Sequence, residues 1–250
     1  MTLVDFDNNL KFNYFIACAN GNVYGFDRFG RPLPGWNPQE GVGRVVQPLL
    51  HFQHDHKDYL AVINKSGKMF VFGRNGAGRF PAVQFGGTDF GPLQADVVSN
   101  APRIVCANGS GQIFVCNLDG NVFGISSGTG GRSTARLAFL QMAGDARLDY
   151  AIAQGGKVML RGYKGGSIHT FFSTQMPSDQ DTVFSVSEGL LGTMNKAGRQ
   201  IFLLDGNGHV HPDFPLAGTT PFSVSNLIRR NAGQVLVVGD GRSVYAYKIR

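Results

Sequence analysis

The stretch GNVYGFDRFGRPLPGW, residues 21–36, holds an apolar run that begins at Val23 and a glycine turn at Gly30. Related runs begin at residues 23, 69, 113, 158, 201 and 244, at intervals of 46, 44, 45, 43 and 43. The second residue of the run is aromatic in five of the six copies, and in the first five a glycine follows at the same spacing. A regular period of this length indicates a repeat architecture.

Each copy reads as four short strands, which we call A to D. The repeated run is strand C, a glycine turn separates it from the β-rich strand B, and a shorter run before B is strand A. Strands B and C are nearly continuous apolar runs, as expected of strands buried on both faces. Strand D is more polar and contains prolines, which cannot donate to a β-ladder, so it is expected at an outer edge. The strand D segments include residues 31–36, 121–125, 167–172 and 209–215.

Four-stranded units of this length are typical of β-propeller blades. The sequence therefore predicts an all-β fold, a six-bladed β-propeller of four-stranded antiparallel blades, with residues 1–250 as a single domain. The predicted blades cover approximately residues 2–37, 46–86, 92–127, 134–174, 182–217 and 220–250.

The last copy has no segment for its outer strand. We expect that blade to be three-stranded, or to be completed by upstream residues or by another chain through β-augmentation. Of these, the expectation we favour is that the chain is the C-terminal part of a longer protein. Because an open edge invites association, an upstream domain or a second copy is the expected occupant.

The repeat resembles the PQQ-like, or quinoprotein-like, β-propeller repeat, with matches at Val23, Tyr24, Asp27, Gly30 and Trp36 and a partial match over residues 241–247. Residues 5–10, DFDNNL, also resemble the FG-GAP/VCBS propeller repeat, whose acidic loop binds Ca²⁺. The first resemblance implies a periplasmic or cell-surface protein of bacterial type. Quinoprotein dehydrogenases carry a disulfide between adjacent cysteines, and no such pair occurs here, so we expect no PQQ.

Charge and hydropathy exclude several classes of function. The net charge is +6, but the 23 basic residues are scattered, so a nucleic-acid-binding surface is not expected. No apolar run is long enough to cross a membrane, and the segment after Met1 does not read as a signal peptide. The sequence contains no G-x-S-x-G, P-loop or dinucleotide-binding motif.

Two groups of residues have the composition of metal ligands. Asp5, Asp7 and Asn9 offer oxygen ligands suited to Ca²⁺. His54 and His56 form the densest imidazole cluster of the chain. Both groups fall on turns between strands A and B, so we expect solvated turns rather than metal sites, and no resident cofactor.

The cysteines leave an alternative open. Cys106 and Cys116 flank one predicted hairpin turn, so they are candidates for a disulfide, whereas Cys18 lies on a different copy. Since free cysteine packs as a small apolar side chain, we expect buried free thiols.

In a propeller, the B–C turns and the D–A loops gather on one face, where loops on a rigid scaffold usually carry recognition. The polar residues predicted on this face are Arg44, Gln47, Asp89, Arg132, Asp181 and Thr219. The sequence predicts a non-catalytic binding or scaffold module whose partner is a protein or a glycan. The alternatives are an enzyme with a central-channel site for a sugar or an alcohol, and a structural domain that assembles through its open edge.

Overall fold

The computed structural model describes residues 1–45, 47–97, 101–125, 136–142, 148–164, 167–187, 189–225 and 234–249. Within these ranges every regular element is a β-strand, and the 22 strands form six antiparallel sheets. The prediction of an all-β fold is confirmed. The chain divides into two compact units, Met1–Ser126 and Ser127–Arg250, each with three of the sheets.

Unit 1, Met1–Ser126, contains sheets 1 to 3, in which consecutive strands pair as antiparallel neighbours. Over the described residues, sheet 1 has three strands, and sheets 2 and 3 have four each. The strands are β1 Thr2–Val4, β2 Asn13–Ala17, β3 Val23–Phe26, β4 Leu50–His54, β5 Lys57–Ile63, β6 Lys68–Phe72, β7 Val83–Gln84, β8 Gln94–Asp96, β9 Arg103–Ala107, β10 Ile113–Asn117 and β11 Val122–Ile125.

Unit 2, Ser127–Arg250, contains sheets 4 to 6 with the same meander order. Sheets 4 and 5 have four strands, and over the described residues sheet 6 has three. The strands are β12 Arg136–Leu140, β13 Asp149–Gln154, β14 Lys157–Lys164, β15 Ser167–Gln175, β16 Thr182–Ser187, β17 Leu190–Asn195, β18 Gln200–Leu204, β19 Leu216–Ala217, β20 Ser223–Ser225, β21 Gln234–Asp240 and β22 Ser243–Ile249.

The predicted strands A, B and C appear in all six copies, with bounds that shift by one or two residues. The inner strands are the most buried: every residue of β9 and β13 is inaccessible to solvent or nearly so. Strand β5 is buried from Asp58 to Ile63. This burial on both faces explains why these strands lack the polar and apolar alternation of a surface sheet.

Two predicted outer strands were wrong. Residues 31–36 form no strand, although they follow β3 through bonds such as Leu33 N–H to the Gly25 carbonyl at 2.9 Å. In the fifth copy, strand β19 begins at Leu216, after the predicted segment 209–215. Prolines within both segments lack the N–H that a regular ladder requires, which is why pairing is reduced to isolated bridges.

Neighbouring sheets of each unit pack face to face. In unit 1, one core joins sheets 1 and 2 through side chains such as Phe15, Trp36 and Leu60, and a second joins sheets 2 and 3. In unit 2, corresponding cores join sheet 4 to sheet 5 and sheet 5 to sheet 6. Within each unit, adjacent sheets thus share a buried face, the packing that a stacked repeat requires.

The three cysteines are free thiols. The register pairs Cys106 with Phe114 and Cys116 with Ile104, so the two cysteines of this hairpin are not cross-strand neighbours. Burial raises the pKa of the Cys106 thiol to about 12 and that of the Cys116 thiol to about 12. Neither therefore supplies the thiolate that reacts with electrophiles near neutral pH.

We expect the thiol reagent DTNB to modify one cysteine of the native chain within minutes. Cys18 is partly exposed, whereas Cys106 and Cys116 are buried, so Cys18 is the expected site. The thionitrobenzoate released is measured by absorbance, and the modified residue is identified by mass spectrometry. A Cys18→Ser variant serves as the control and should react only after unfolding. Rapid modification of this variant in its native state would show that the hairpin cysteines are accessible.

Candidate functional site

Each sheet has two ends with different loops. One end carries the A–B and C–D turns, and we call it the AB/CD edge. The other carries the B–C turns and the D–A loops, and we call it the BC/DA edge. The sequence places the ligand face at the BC/DA edge, whereas the larger clefts of unit 1 lie at the AB/CD edge.

In unit 1, the predicted face residues largely support their own loops. Gln47 is half-buried, and its amide nitrogen donates to the Phe90 carbonyl at 2.9 Å. Asp89, at φ 57°, accepts a hydrogen bond from the neighbouring threonine hydroxyl. Arg44 is exposed, and its carbonyl accepts the Lys65 N–H at 2.8 Å. The bond from Gln47 to Phe90 brings the segments of Gln47 and Asp89 together, whereas Arg44 contributes its backbone carbonyl.

In unit 2, the predicted face residues also serve the loops. The Asp181 carboxylate accepts the Lys196 N–H at 2.6 Å. The Thr219 hydroxyl accepts the Gly241 N–H at 3.3 Å. Arg132, the remaining predicted residue, lies outside the described residues. The role of all three in ligand recognition stays a prediction, and in this structure Asp181 and Thr219 hold turns.

Buried asparagines fix the BC/DA edge, and sequence reasoning missed them. Asn64 donates its amide N–H to the Val42 carbonyl at 2.8 Å, and Asn108 donates to the Gly86 carbonyl at 3.1 Å. Asn195 binds the preceding D–A loop in the same way. In each copy the amide oxygen also accepts N–H groups of the B–C turn, so one side chain joins two loops. The sequence signal is an asparagine three residues before the turn glycine.

A cavity of about 270 Å³ lies at the BC/DA edge of unit 2. It is bordered by Asp181 and by Arg136, whose Nε donates to the Asp181 carbonyl at 3.0 Å. Buried amides of Gln180 and Asn195 form part of its wall. The Gln180 and Asn195 amides already bond to neighbouring loop atoms, so this cavity mainly reflects the loop-joining network.

Unit 1 has two larger clefts at its AB/CD edge. The first cleft, about 630 Å³, lies between sheets 1 and 2 and is bordered by Phe6, Leu33, Pro34, Lys57, Arg74 and Arg79 among others. The second cleft, about 390 Å³, lies between sheets 2 and 3 and shares Lys57 and Arg79 with the first. These two basic side chains form the ridge between the clefts. Because A–B and C–D turns of successive copies build them, no single stretch of sequence predicts them.

The candidate Ca²⁺ loop is closed by its own backbone. The Asp5 carboxylate accepts the N–H groups of Asp7, Asn9 and Leu10, the last at 2.7 Å. Desolvation works against the charged form of Asp5, but these N–H groups outweigh it and hold the carboxyl pKa below its usual value. The Asn9 side-chain oxygen accepts the Lys11 N–H at 2.9 Å. Asp5 and Asn9 therefore act as turn caps in this structure.

Asp7, the third oxygen candidate, is paired with Arg74. The two carboxylate oxygens accept from the two terminal guanidinium nitrogens at 2.6 and 2.8 Å. The bond from Arg74 holds the pKa of the Asp7 carboxyl below its usual value. The Arg74 guanidinium also lies 4.7 Å from the centre of the Phe6 ring, so the pair fixes one wall of the first cleft.

The histidine candidates do not converge. His54 contacts the Asp55 carboxylate at 3.3 Å beside the second cleft, and His56, at φ 57°, borders the first. His51 instead binds the Asp58 carboxylate at 2.9 Å. Over the described part of the chain, no three His, Cys, Asp or Glu side chains are grouped as metal ligands would be.

Arg79 is held by neutral groups. Its Nε and one terminal nitrogen donate to the Asp58 carbonyl oxygen at 3.1 and 2.6 Å. Its guanidinium carbon lies 4.9 Å from the centre of the Tyr59 ring. The Asp58 carboxylate is occupied separately, by His51 at 2.9 Å and by the Gln53 amide at 3.0 Å. Among the described residues, neither Arg79 nor Lys57 has a carboxylate oxygen within 4.0 Å.

The chain was compared with known proteins, and the matches found are to solved structures. No family model matches the chain, and no curated protein matches it. BamB from Moraxella catarrhalis is 17% identical with a TM-score of 0.62, over 99% of this chain and 69% of that one. BBS1N in complex with ARL6DN is 11% identical with a TM-score of 0.61, over 99% and 78%. The computationally designed Ika8 protein is 15% identical with a TM-score of 0.59, over 98% and 70%.

BamB and BBS1N are both β-propellers, so the likeness supports a β-propeller fold for this chain. Sequence identities this low are evidence for a shared fold and not for a shared function. The described residues include no helix that could cross a lipid bilayer.

Proposed function

We propose that this chain is a non-catalytic, protein-binding β-propeller, with its six sheets as the six blades. Support comes from six copies of one meander and from the likeness to two propeller structures. One of those neighbours, BBS1N, was solved in complex with another protein, ARL6DN. From the repeat resemblance, we also propose a location in the periplasm or at the cell surface.

The observation that carries the proposal is the pair of adjoining clefts at the AB/CD edge of unit 1. Their side chains are already ordered by bonds within the chain, notably from Arg74 to Asp7 and from Arg79 to Asp58. Pre-ordered side chains lose little conformational freedom on association, so such a surface binds at low entropic cost. The two clefts together span three consecutive sheets, which suits an extended segment of a partner protein.

Charge reversal at the shared ridge tests this function. The tagged chain is used to capture proteins from a lysate of the source cells, in parallel with Lys57→Glu and Lys65→Glu variants. Lys57 lies on the ridge, whereas Lys65 is an exposed lysine in the B–C turn at the opposite end of the same sheet. We expect wild type and Lys65→Glu to capture the same protein, and Lys57→Glu to capture about tenfold less of it.

The captured protein is then purified, and its binding is measured directly by calorimetry. Equal binding by the two variants would show that the clefts are not the binding surface. If wild type captures no protein that survives this direct measurement, the protein-binding function itself is wrong.

A further inference from the structure

The ridge between the clefts carries positive charge that the described residues do not neutralise. Arg79 donates two of its N–H groups to the Asp58 carbonyl oxygen, which is a neutral acceptor. The other terminal nitrogen, Nη1, has no acceptor among the described residues, and neither does the ammonium of exposed Lys57. A guanidinium fixed by a carbonyl and a ring is oriented for a ligand while keeping its full charge.

The first cleft also has an apolar side. Phe6 is buried beneath the Arg74 guanidinium, and Leu33 and Pro34 also line the cleft. The Asp58 carboxylate also borders this cleft, and its Oδ1 accepts from His51 and from the Gln53 amide. The cleft therefore offers charged N–H donors from Arg79 and Lys57 beside apolar side chains.

The surroundings favour a short anionic segment over a polyanion. Asp7 lies beside the first cleft on Arg74, and Asp55 and Asp119 border the second. A nucleic-acid backbone would bring its phosphates against these carboxylates at a cost in repulsion. A peptide with one or two carboxylates brings fewer negative charges near them.

We propose that the first cleft binds an acidic segment of the partner protein, an Asp or Glu side chain next to a large apolar one. The carboxylate accepts N–H groups from Arg79 and Lys57, and the apolar side chain packs on Leu33 and Pro34. This inference rests on the proposed protein-binding function and names the chemistry of the segment recognised.

Fluorescence anisotropy with defined probes tests it. The probe is a labelled decapeptide of alternating Glu and Leu, and its matched control replaces every Glu by Gln. We expect the acidic peptide to bind about tenfold more tightly than its Gln analogue, and the difference to shrink as salt is added. A labelled single-stranded oligodeoxynucleotide is measured alongside. Equal binding of the two peptides, or tighter binding of the oligonucleotide, overturns the inference.

Two variants locate the effect. Lys57→Gln removes an exposed charge and is expected to weaken acidic-peptide binding about threefold. Arg79→Gln is expected to weaken it tenfold or more, on the order of one lost charge-assisted hydrogen bond. Lys65→Gln should leave it unchanged. Thermal unfolding checks that Arg79→Gln remains folded, and Lys57→Gln keeps the test valid if it does not. Acidic-peptide binding that neither ridge variant weakens overturns the inference.

The two proposals fail in different ways. Protein capture that depends on Lys57, without preference for the acidic peptide, overturns the acidic segment and leaves the protein-binding function in place. A ridge-dependent preference for the acidic peptide, without any captured protein, supports the cleft chemistry and counts against the proposed function.

Discussion

Replacing Trp36 by alanine is expected to lower the free energy of unfolding by about 3–5 kcal/mol, because the side chain is large, buried and central to the core between sheets 1 and 2. Its ring lies edge-on between Phe15 and Phe72, at centroid distances of 4.8 and 5.3 Å. Its indole N–H donates to the Arg74 carbonyl at 2.8 Å, on the turn that borders the first cleft. The variant thus loses apolar packing, two aromatic contacts and a hydrogen bond between sheets.

Urea denaturation followed by far-ultraviolet circular dichroism measures this loss. Fluorescence is unsuitable because Trp36 is the single tryptophan of the chain. The control is Phe29→Ala, which truncates an aromatic side chain that is 66% exposed and should change stability by about 0.5 kcal/mol or less. If Trp36→Ala costs no more than Phe29→Ala, sheets 1 and 2 do not share the core described above.

The second large effect is expected at Gly35. This residue has φ +78°, and a Cβ placed there would lie 2.0 Å from the Asn75 carbonyl oxygen, which belongs to the neighbouring sheet's turn. Gly30 has the same φ of +78° with no atom within 4 Å of such a Cβ. Alanine at either position has to adopt a left-handed backbone, which lowers the free energy of unfolding by about 1–2 kcal/mol. Only alanine at Gly35 must also force two backbone segments apart.

We therefore expect Gly35→Ala to cost about 3 kcal/mol or more and Gly30→Ala about 1–2 kcal/mol, measured by the same denaturation. The difference between the two variants isolates the close approach from the strain. It also bears on the first cleft, because Asn75 lies on its border. Equal losses of stability would mean that the segment of Gly35 and the turn of Asn75 do not meet in solution.

The repeat made most of the secondary structure predictable. Strands A to C follow from apolar runs bounded by glycine turns, and their burial follows from their lack of alternation. The outer strands were harder to place, because the prolines of residues 31–36 leave a segment that bonds to β3 without forming a ladder. The tryptophan that ends this segment was identified from the repeat resemblance, and in the structure it packs the core.

The candidate site was predicted at the opposite edge from the clefts of unit 1. A polar residue in a loop looks the same in sequence whether it meets a ligand or, like Gln47 and Asp181, bonds to a neighbouring loop. The clefts depend on contacts between turns far apart in the chain. Nothing local to Arg79 shows that its partner is a carbonyl rather than a carboxylate. The buried asparagines, by contrast, had a readable signal in their fixed distance from the turn glycine.

We propose above that the clefts at the AB/CD edge of unit 1 bind a protein. The most direct test is the ratio of dissociation constants that Lys57→Glu and Lys65→Glu show for the purified captured partner. The two variants carry the same change in charge on the same sheet, at opposite ends. We predict that Lys57→Glu binds about tenfold more weakly than Lys65→Glu. A ratio near one would show that these clefts do not bind the partner and would favour a binding surface at the BC/DA edge.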